Sequence, residues 1–252
     1  MIIHPEHDTW EELGSRERPS WYLHPLVAEQ KRKVHLALIH RWTTGLQPAR
    51  ILKTDLFEEA FGGDRILADL GQEGAIILGM DAAYSTVHAA AQRDPALAPG
   101  FLAMDIREPA LRDDCLDLII STSTLDHFAT RDDFVVSIRA LAGMLRPDGC
   151  LVLTLDNPWN PLFHPLRWLT HRQRAPFPIG YSPLLHRLRR DLEEAGLAVA
   201  AHDWIIHNPR LLSTALFVAI EKVFGRSGDP LVKALLWGFA LLAHLPTRRF
   251  TD

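Results

Sequence analysis

The chain has 252 residues, 47% of them hydrophobic and 23% charged, with 27 Lys and Arg against 31 Asp and Glu. This composition excludes disorder, collagen and long coiled coil, and the length suits one large domain or one domain with an appendage. A formal charge of -4 speaks against nucleic-acid binding by bulk electrostatics, and two cysteines, Cys115 and Cys150, make neither a Cys-only zinc site nor a disulfide framework.

The first 20 residues are polar and read as an arm. No apolar secretory core follows Met1, so the expected location is cytoplasmic. From Trp21 to Trp42, Leu26, Val34, Leu38 and Trp42 recur at helical spacing with Lys31, Arg32 and Lys33 facing out, and Gly45 and Pro48 end the helix. The chain then alternates. Ala49 to Lys53 is a strand, Asp64 to Leu70 helical, Gly74 to Asp81 a strand ending in an acid, and Ser85 to Arg93 helical. Gly100 to Asp105 is a strand ending in a second acid, Cys115 to Ser121 another strand, Asp132 to Leu145 an amphipathic helix, and Cys150 to Leu155 a strand. Unbroken apolar strands separated by helices predict a doubly wound α/β fold, with a mostly parallel sheet and helices on both faces.

Ligands of such sheets bind beyond the carboxyl ends of the strands. That rule gathers Thr54, Asp55, Asp81, Asp105, Ser121 to His127, Asp156 and Asn157 around one crevice. Three domain segments are expected. An N-terminal arm and helix over residues 1–45 covers the pocket, a Rossmann-like domain spans 46–210 with a lid insertion at about 157–182, and apolar helices fill 211–252.

Four segments, in this order, resemble the class I S-adenosylmethionine-dependent methyltransferase family over about Arg50 to Leu155. They are Ile76-Ile-Leu-Gly-Met-Asp81, Met104-Asp105-Ile106, Asp113-Asp-Cys-Leu-Asp-Leu-Ile-Ile-Ser121 and Leu145-Arg-Pro-Asp-Gly-Cys-Leu-Val-Leu153. The resemblance implies S-adenosylmethionine as cofactor. Asp81 and Ala82 would meet the ribose, Asp105 and Ile106 the adenine, and Thr54, Asp55 and Ser121 the remaining wall. A carboxylate can accept from two ribose hydroxyls together, and an acid suits the adenine amino group. Read alone, both acids could equally be strand-end residues that cap the next helix. The chain departs from the family after the first strand. Ile51-Leu-Lys-Thr-Asp-Leu-Phe-Glu-Glu-Ala60 stands where Gly-x-Gly-x-Gly is usual. Phe and Glu do not permit the backbone approach that glycine does, so the loop takes another path, with Gly62 and Gly63 a turn later.

For chemistry, His127 beside Asp126 is the candidate general base, because histidine titrates in the useful range and methyl transfer needs a positioned, deprotonated acceptor. Structural roles are the alternative: Asp126 capping a turn and His127 packing behind the adenine. Glu59, Asn157, Trp159 and Tyr181 are candidate substrate contacts, and Arg167, Arg172 and Arg174 of the lid could hold an anion. The expected activity is methyl transfer to O or N of a small molecule in secondary metabolism. One rival is an enzyme that keeps the fold without methylating, using Asp55, Glu58, Glu59 and His127 for elimination, cyclisation or isomerisation, an idea favoured by the clustering of Asp55, Glu58, Glu59 and Asp64. The other is a non-catalytic partner subunit.

Leu184 to Ala195 is read as a helix and Leu197 to Ile206 as a strand. Leu211 to Phe224 and Leu231 to Leu245 are apolar helices fit for a homodimer or a partner protein. The second is shorter than the roughly 18 uncharged residues of a membrane span. Thirteen histidines include no His-x-x-x-His pair on a helix, so no metal is expected.

Overall fold

The computed structural model describes residues 10–12, 24–70, 74–172, 179–206 and 210–250. The rest of the arm, the lid residues 173–178 with Arg174, and the turn at 207–209 lie outside the described residues, as does the side chain of Arg172.

Five strands form one parallel sheet: β1 (Arg50–Lys53), β2 (Ile76–Asp81), β3 (Phe101–Ala103), β4 (Leu116–Thr122) and β5 (Leu145–Thr154), in the order β3-β2-β1-β4-β5. The order reverses beside β1, which pairs with β2 on one side and β4 on the other. This is the doubly wound arrangement that the apolar runs predict, and every residue of β4 is buried.

Alternation along the strands divides the core in two. Ile51, Leu118, Ile120 and Val152 pack with Leu38 and Ile39 of α1 (Pro25–Trp42), Ala60 of α2 (Phe57–Phe61), Leu67 and Leu70 of α3 (Leu67–Leu70), and Val87 and Ala90 of α4 (Tyr84–Arg93). Leu52, Met80 and Ile119 pack on the opposite face. There they meet Phe134, Ile138, Leu141 and Met144 of α5 (Arg131–Met144), with Leu188 and Leu192 of α7 (Leu185–Glu194) alongside. Leu116 belongs to this second cluster although Leu118 belongs to the first, and the β4–β5 register shifts between those two residues. Asp117, at the shift, accepts from Arg50 N at 2.7 Å and pairs with Arg146 at 2.7 Å.

The lid contributes α6 (Phe163–Arg172), and α8 (Arg210–Phe224) and α9 (Asp229–Leu242) follow α7. Three elements differ from expectation. Residues 57–61, read as loop, form α2, and the helix expected over 64–70 is confined to Leu67–Leu70. The segment 197–206 forms no strand: apolar and β-branched residues fit a pleated surface, but a strand needs a ladder partner.

Candidate functional site

The carboxyl ends of β1, β2 and β4 converge on one crevice. Thr54 N donates to Ile120 O, extending the β1–β4 ladder by one step. Thr54 Oγ1 lies 3.0 Å from Ser121 Oγ and 3.1 Å from Thr124 Oγ1, so three hydroxyls meet just beyond the sheet. At the end of β2 the Asp81 carboxylate accepts from Leu56 N at 3.1 Å and from Ala83 N at 2.9 Å. Burial pushes the Asp81 carboxyl up to about 6, against the pull of those two amides.

The turn after β1 is built around charge. Lys53 is 1% exposed; its Nζ donates to the backbone oxygen of Asp55 and lies 3.6 Å from Glu58 Oε2 and 3.9 Å from Asp55 Oδ2. Lys31 of α1 pairs with Glu58 Oε1 at 3.2 Å and Asp64 Oδ2 at 2.8 Å. Burial alone would discharge both lysines, but the surrounding carboxylates outweigh it and hold them protonated. Burial and the adjacent Glu58 push Asp55 well above the usual carboxylate range. Glu58 is held well below that range by Lys31 and Lys53, despite its own burial. His35, beside them, falls to about 4 through burial and the neighbouring Lys31. The expected outward face for Lys31 is therefore wrong: Lys31 and His35 are four residues apart on the inward face of α1.

This turn replaces the glycine loop with a short helix. Asp55 Oδ1 accepts from Phe57 N at 2.6 Å, starting α2, and Arg93 Nη1 donates to Gly62 O at 2.7 Å, holding its far end. The space between the lysines, Glu58, Asp64, Thr122 and Ser123 is about 10 Å³, room for one water. Asp64 Oδ1 is buried there without a hydrogen-bond partner among the described residues.

Other predicted residues have local roles. Glu59 is 3% exposed and accepts from Ile66 N at 3.0 Å and Leu67 N at 3.3 Å, capping α3 rather than facing the crevice. Ile106 is buried in the core beside Met80, and Ala82 follows Asp81 in the turn before α4. Asp105 is gripped by Arg107, with Nη2 at 2.6 Å and Nε at 3.0 Å, and Arg107 reaches on to Asp133 at 3.1 Å and stacks over Phe128.

Asp126 joins three segments. Its Oδ2 accepts from Asp156 N at 2.7 Å after β5, and its backbone oxygen accepts from Gly180 N at 2.8 Å in the lid. His127 meets the edge of Trp10 at 5.4 Å, and Glu11 accepts from Ser85 N at 3.1 Å at the start of α4, so residues 10–12 bridge the β2 and β4 ends of the crevice. A Cβ on Gly180 would stand 2.4 Å from Phe128 O and 2.5 Å from Asp126 O. Gly180→Ala should push the lid off the His127 turn and cost about 2 kcal/mol or more, from overpacking against backbone. Thermal unfolding of the variant checks this, and a midpoint unchanged from the parent would refute it.

Beyond β5 a cavity of about 530 Å³ is lined by Trp159, Leu185, His186, Arg189, Trp204, Arg249 and Phe250. Asn157 holds its rim, accepting from Trp159 N at 3.0 Å and donating to Arg249 O at 2.9 Å. Tyr181 packs its ring on Phe134 at 5.6 Å, and its buried hydroxyl has no hydrogen-bond partner among the described residues. Of the cavity walls only Trp159 was named from sequence. Trp204, Arg189 and Arg249 lie far apart along the chain, and only the fold unites them.

Residues 58–153 match the family model described as a methyltransferase domain. No curated protein matches the sequence. Among solved structures, the chain is similar to the cyclase SpnF, with 17% identity, 95% of this chain and 88% of that one covered, and a TM-score of 0.56. It is also similar to a protein of Galdieria sulphuraria assigned as a sarcosine dimethylglycine methyltransferase, with 15% identity, 86% and 80% covered, and a TM-score of 0.55. A third is the N-methyltransferase NodS of Bradyrhizobium japonicum in complex with S-adenosyl-L-homocysteine, with 16% identity, 76% and 86% covered, and a TM-score of 0.52. These likenesses establish the Rossmann-like α/β fold.

Proposed function

We propose, from the match of residues 58–153 to the methyltransferase domain model, that this chain binds S-adenosylmethionine and methylates an O or N atom of a small molecule. The observation that carries this reading is the set of groups at the strand ends. The Asp81 carboxylate at the end of β2 has lone pairs left beyond its two amide bonds, and Thr54, Ser121 and Thr124 cluster at the ends of the neighbouring β1 and β4. Asp81 would hold the ribose hydroxyls, and Asp55 and Lys53 the charged amino-acid end. When bound, the cofactor supplies an electrophilic methyl group. The chain's residues orient the acceptor, exclude water and take its proton, a role for which His127 at the β4 mouth is the candidate base. The acceptor belongs in the cavity beside Trp159. Indole and aliphatic walls with Arg189, Arg249 and His186 suit an apolar body carrying an anionic group, in keeping with a secondary metabolite.

The donor set fits the cofactor, whereas the 10 Å³ now open at the β1 turn does not hold its amino-acid end, so binding must displace α2. Calorimetric titration with S-adenosylhomocysteine tests the reading. Micromolar binding, with hydrogen exchange altered over residues 54–62, is the expected result, and absence of binding at millimolar ligand would sink it.

The same filled turn favours a second reading, a non-methylating enzyme on this fold. Asp55 pushed up and Glu58 held down form a donor–acceptor pair of carboxyls. Turnover of a substrate without cofactor, lost in Glu58→Gln, would select it.

A further inference from the structure

α8 and α9 form a hairpin around Gly225–Gly228. Its inner side is a small core of its own: Phe217, Ile220 and Val232 are buried, with Leu235, Leu236 and Phe239 packed against them and against Leu26 and Val27 of α1. Its outer side should then be polar, as on any helix that faces water. It is apolar instead. Val223 is 70% and Trp237 67% exposed, and Phe224, Leu231, Leu241 and Leu245 are exposed with them. A helix apolar all round is one whose second face is also covered.

The charges around this face indicate what covers it. Residues 221–250 carry five exposed cations, Lys222, Arg226, Lys233, Arg248 and Arg249, against only Glu221 and Asp229; Arg248 lies 3.5 Å from Asp203, Arg249 reaches the cavity beside Trp159, and Asp229 lies 3.6 Å from His24. The chain as a whole is at -4, so with residues 221–250 at +3 the remainder is net acidic, at -7. A second copy of the chain would bring cations onto cations, which is unfavourable. No helix among the described residues is long and apolar enough to cross a membrane. Leu, Phe and Trp on a face edged by Lys and Arg is the pattern of a helix that lies in the headgroup layer.

We propose that the α8–α9 hairpin seats this protein on an anionic lipid bilayer, with Trp237, Leu241 and Val223 in the interface and the basic rim on the headgroups. The acidic remainder of the chain is repelled by the same surface, which fixes the hairpin side towards the membrane. The inference is independent of the cofactor reading.

Co-sedimentation of the full chain with phosphatidylcholine vesicles, with and without phosphatidylglycerol, tests it. The protein should pellet at least about tenfold more strongly with the anionic vesicles and be released by salt. Trp237→Glu with Leu241→Glu should abolish pelleting while leaving the melting temperature unchanged, because both side chains point outward. Lys233→Glu with Arg226→Glu should remove only the anionic preference. Equal pelleting with both vesicles, none with either, or full binding by the Trp237→Glu, Leu241→Glu variant would each overturn the proposal. So would a dimer in sizing chromatography that dissociates in that variant, which would make the face an interface between copies.

Discussion

Replacing Lys53 by methionine should cost about 3 kcal/mol at neutral pH, within the range for breaking a buried ion pair. In a chain of this length that lowers the melting temperature by roughly 6–12 °C. Methionine nearly fills the lysine volume, so the loss is electrostatic. Glu58 keeps Lys31 at 3.2 Å but loses the ammonium at 3.6 Å, and the backbone oxygen of Asp55 loses its donor. The figure sits at the low end because the Glu58 side chain is still 19% exposed and so partly solvated. The sign with pH follows from Glu58, whose carboxyl the two lysines hold below its ordinary range. That stabilisation is present above about pH 4.5, where the unfolded chain is ionised, and is lost as pH falls towards the lower folded value. Parent and variant should therefore converge in acid. Urea unfolding at pH 7 and at pH 3 measures the gap, and a gap that stays constant would rule out the charge network as its source.

The second large effect belongs to Asp81. Asp81→Asn should weaken S-adenosylhomocysteine binding by about 10–100-fold, because hydrogen bonds to a charged acceptor contribute about 1.5–3 kcal/mol and asparagine offers one acceptor oxygen. It should also cost about 1–3 kcal/mol of stability, since the amide NH2 must face one of the two backbone N–H groups, of Leu56 or Ala83, that the carboxylate now satisfies. The Asp81 carboxyl lies at about 6. Without ligand, its raised value favours the folded state below the ordinary carboxylate range, and that contribution is lost as pH rises through 6. The ligand selects the ionised form, so affinity in the parent should fall about tenfold per pH unit below that value, while the variant stays flat. Titrations at pH 5, 6 and 7.5 decide it. A parallel slope in the variant would locate the titrating group elsewhere.

The sheet was readable because its central strands are buried on both faces and so carry apolar runs; Leu118-Ile119-Ile120 of β4 is the clearest. The crevice followed from topology, as the acid at the end of β2 and the hydroxyls after β1 and β4 do stand together. The contents of the β1 turn were not readable. A five-residue helix holding Glu58 and Glu59 has no periodicity to detect, and Lys31 looks like a solvent lysine until Glu58 arrives from 27 residues away. The local role of Glu59 also escaped, because an acid meant for a ligand and an acid that caps a helix share one sequence signature. The apolar residues of 197–206 promised a strand, yet pairing is a property of neighbours that a local pattern does not contain.

The position of β1 also governs how this chain can fold during synthesis. β1 lies at the centre of the sheet, and the bond from Arg50 N to the Asp117 carboxylate spans 67 residues. Emerging from the ribosome, β1 meets β2 early, but its other edge stays open until β4 has been made. Closing so long a loop is slow, and an apolar strand with a free edge invites pairing with other chains. The early product is thus the aggregation-prone species, and the first half of the chain expressed alone should be insoluble rather than a small domain.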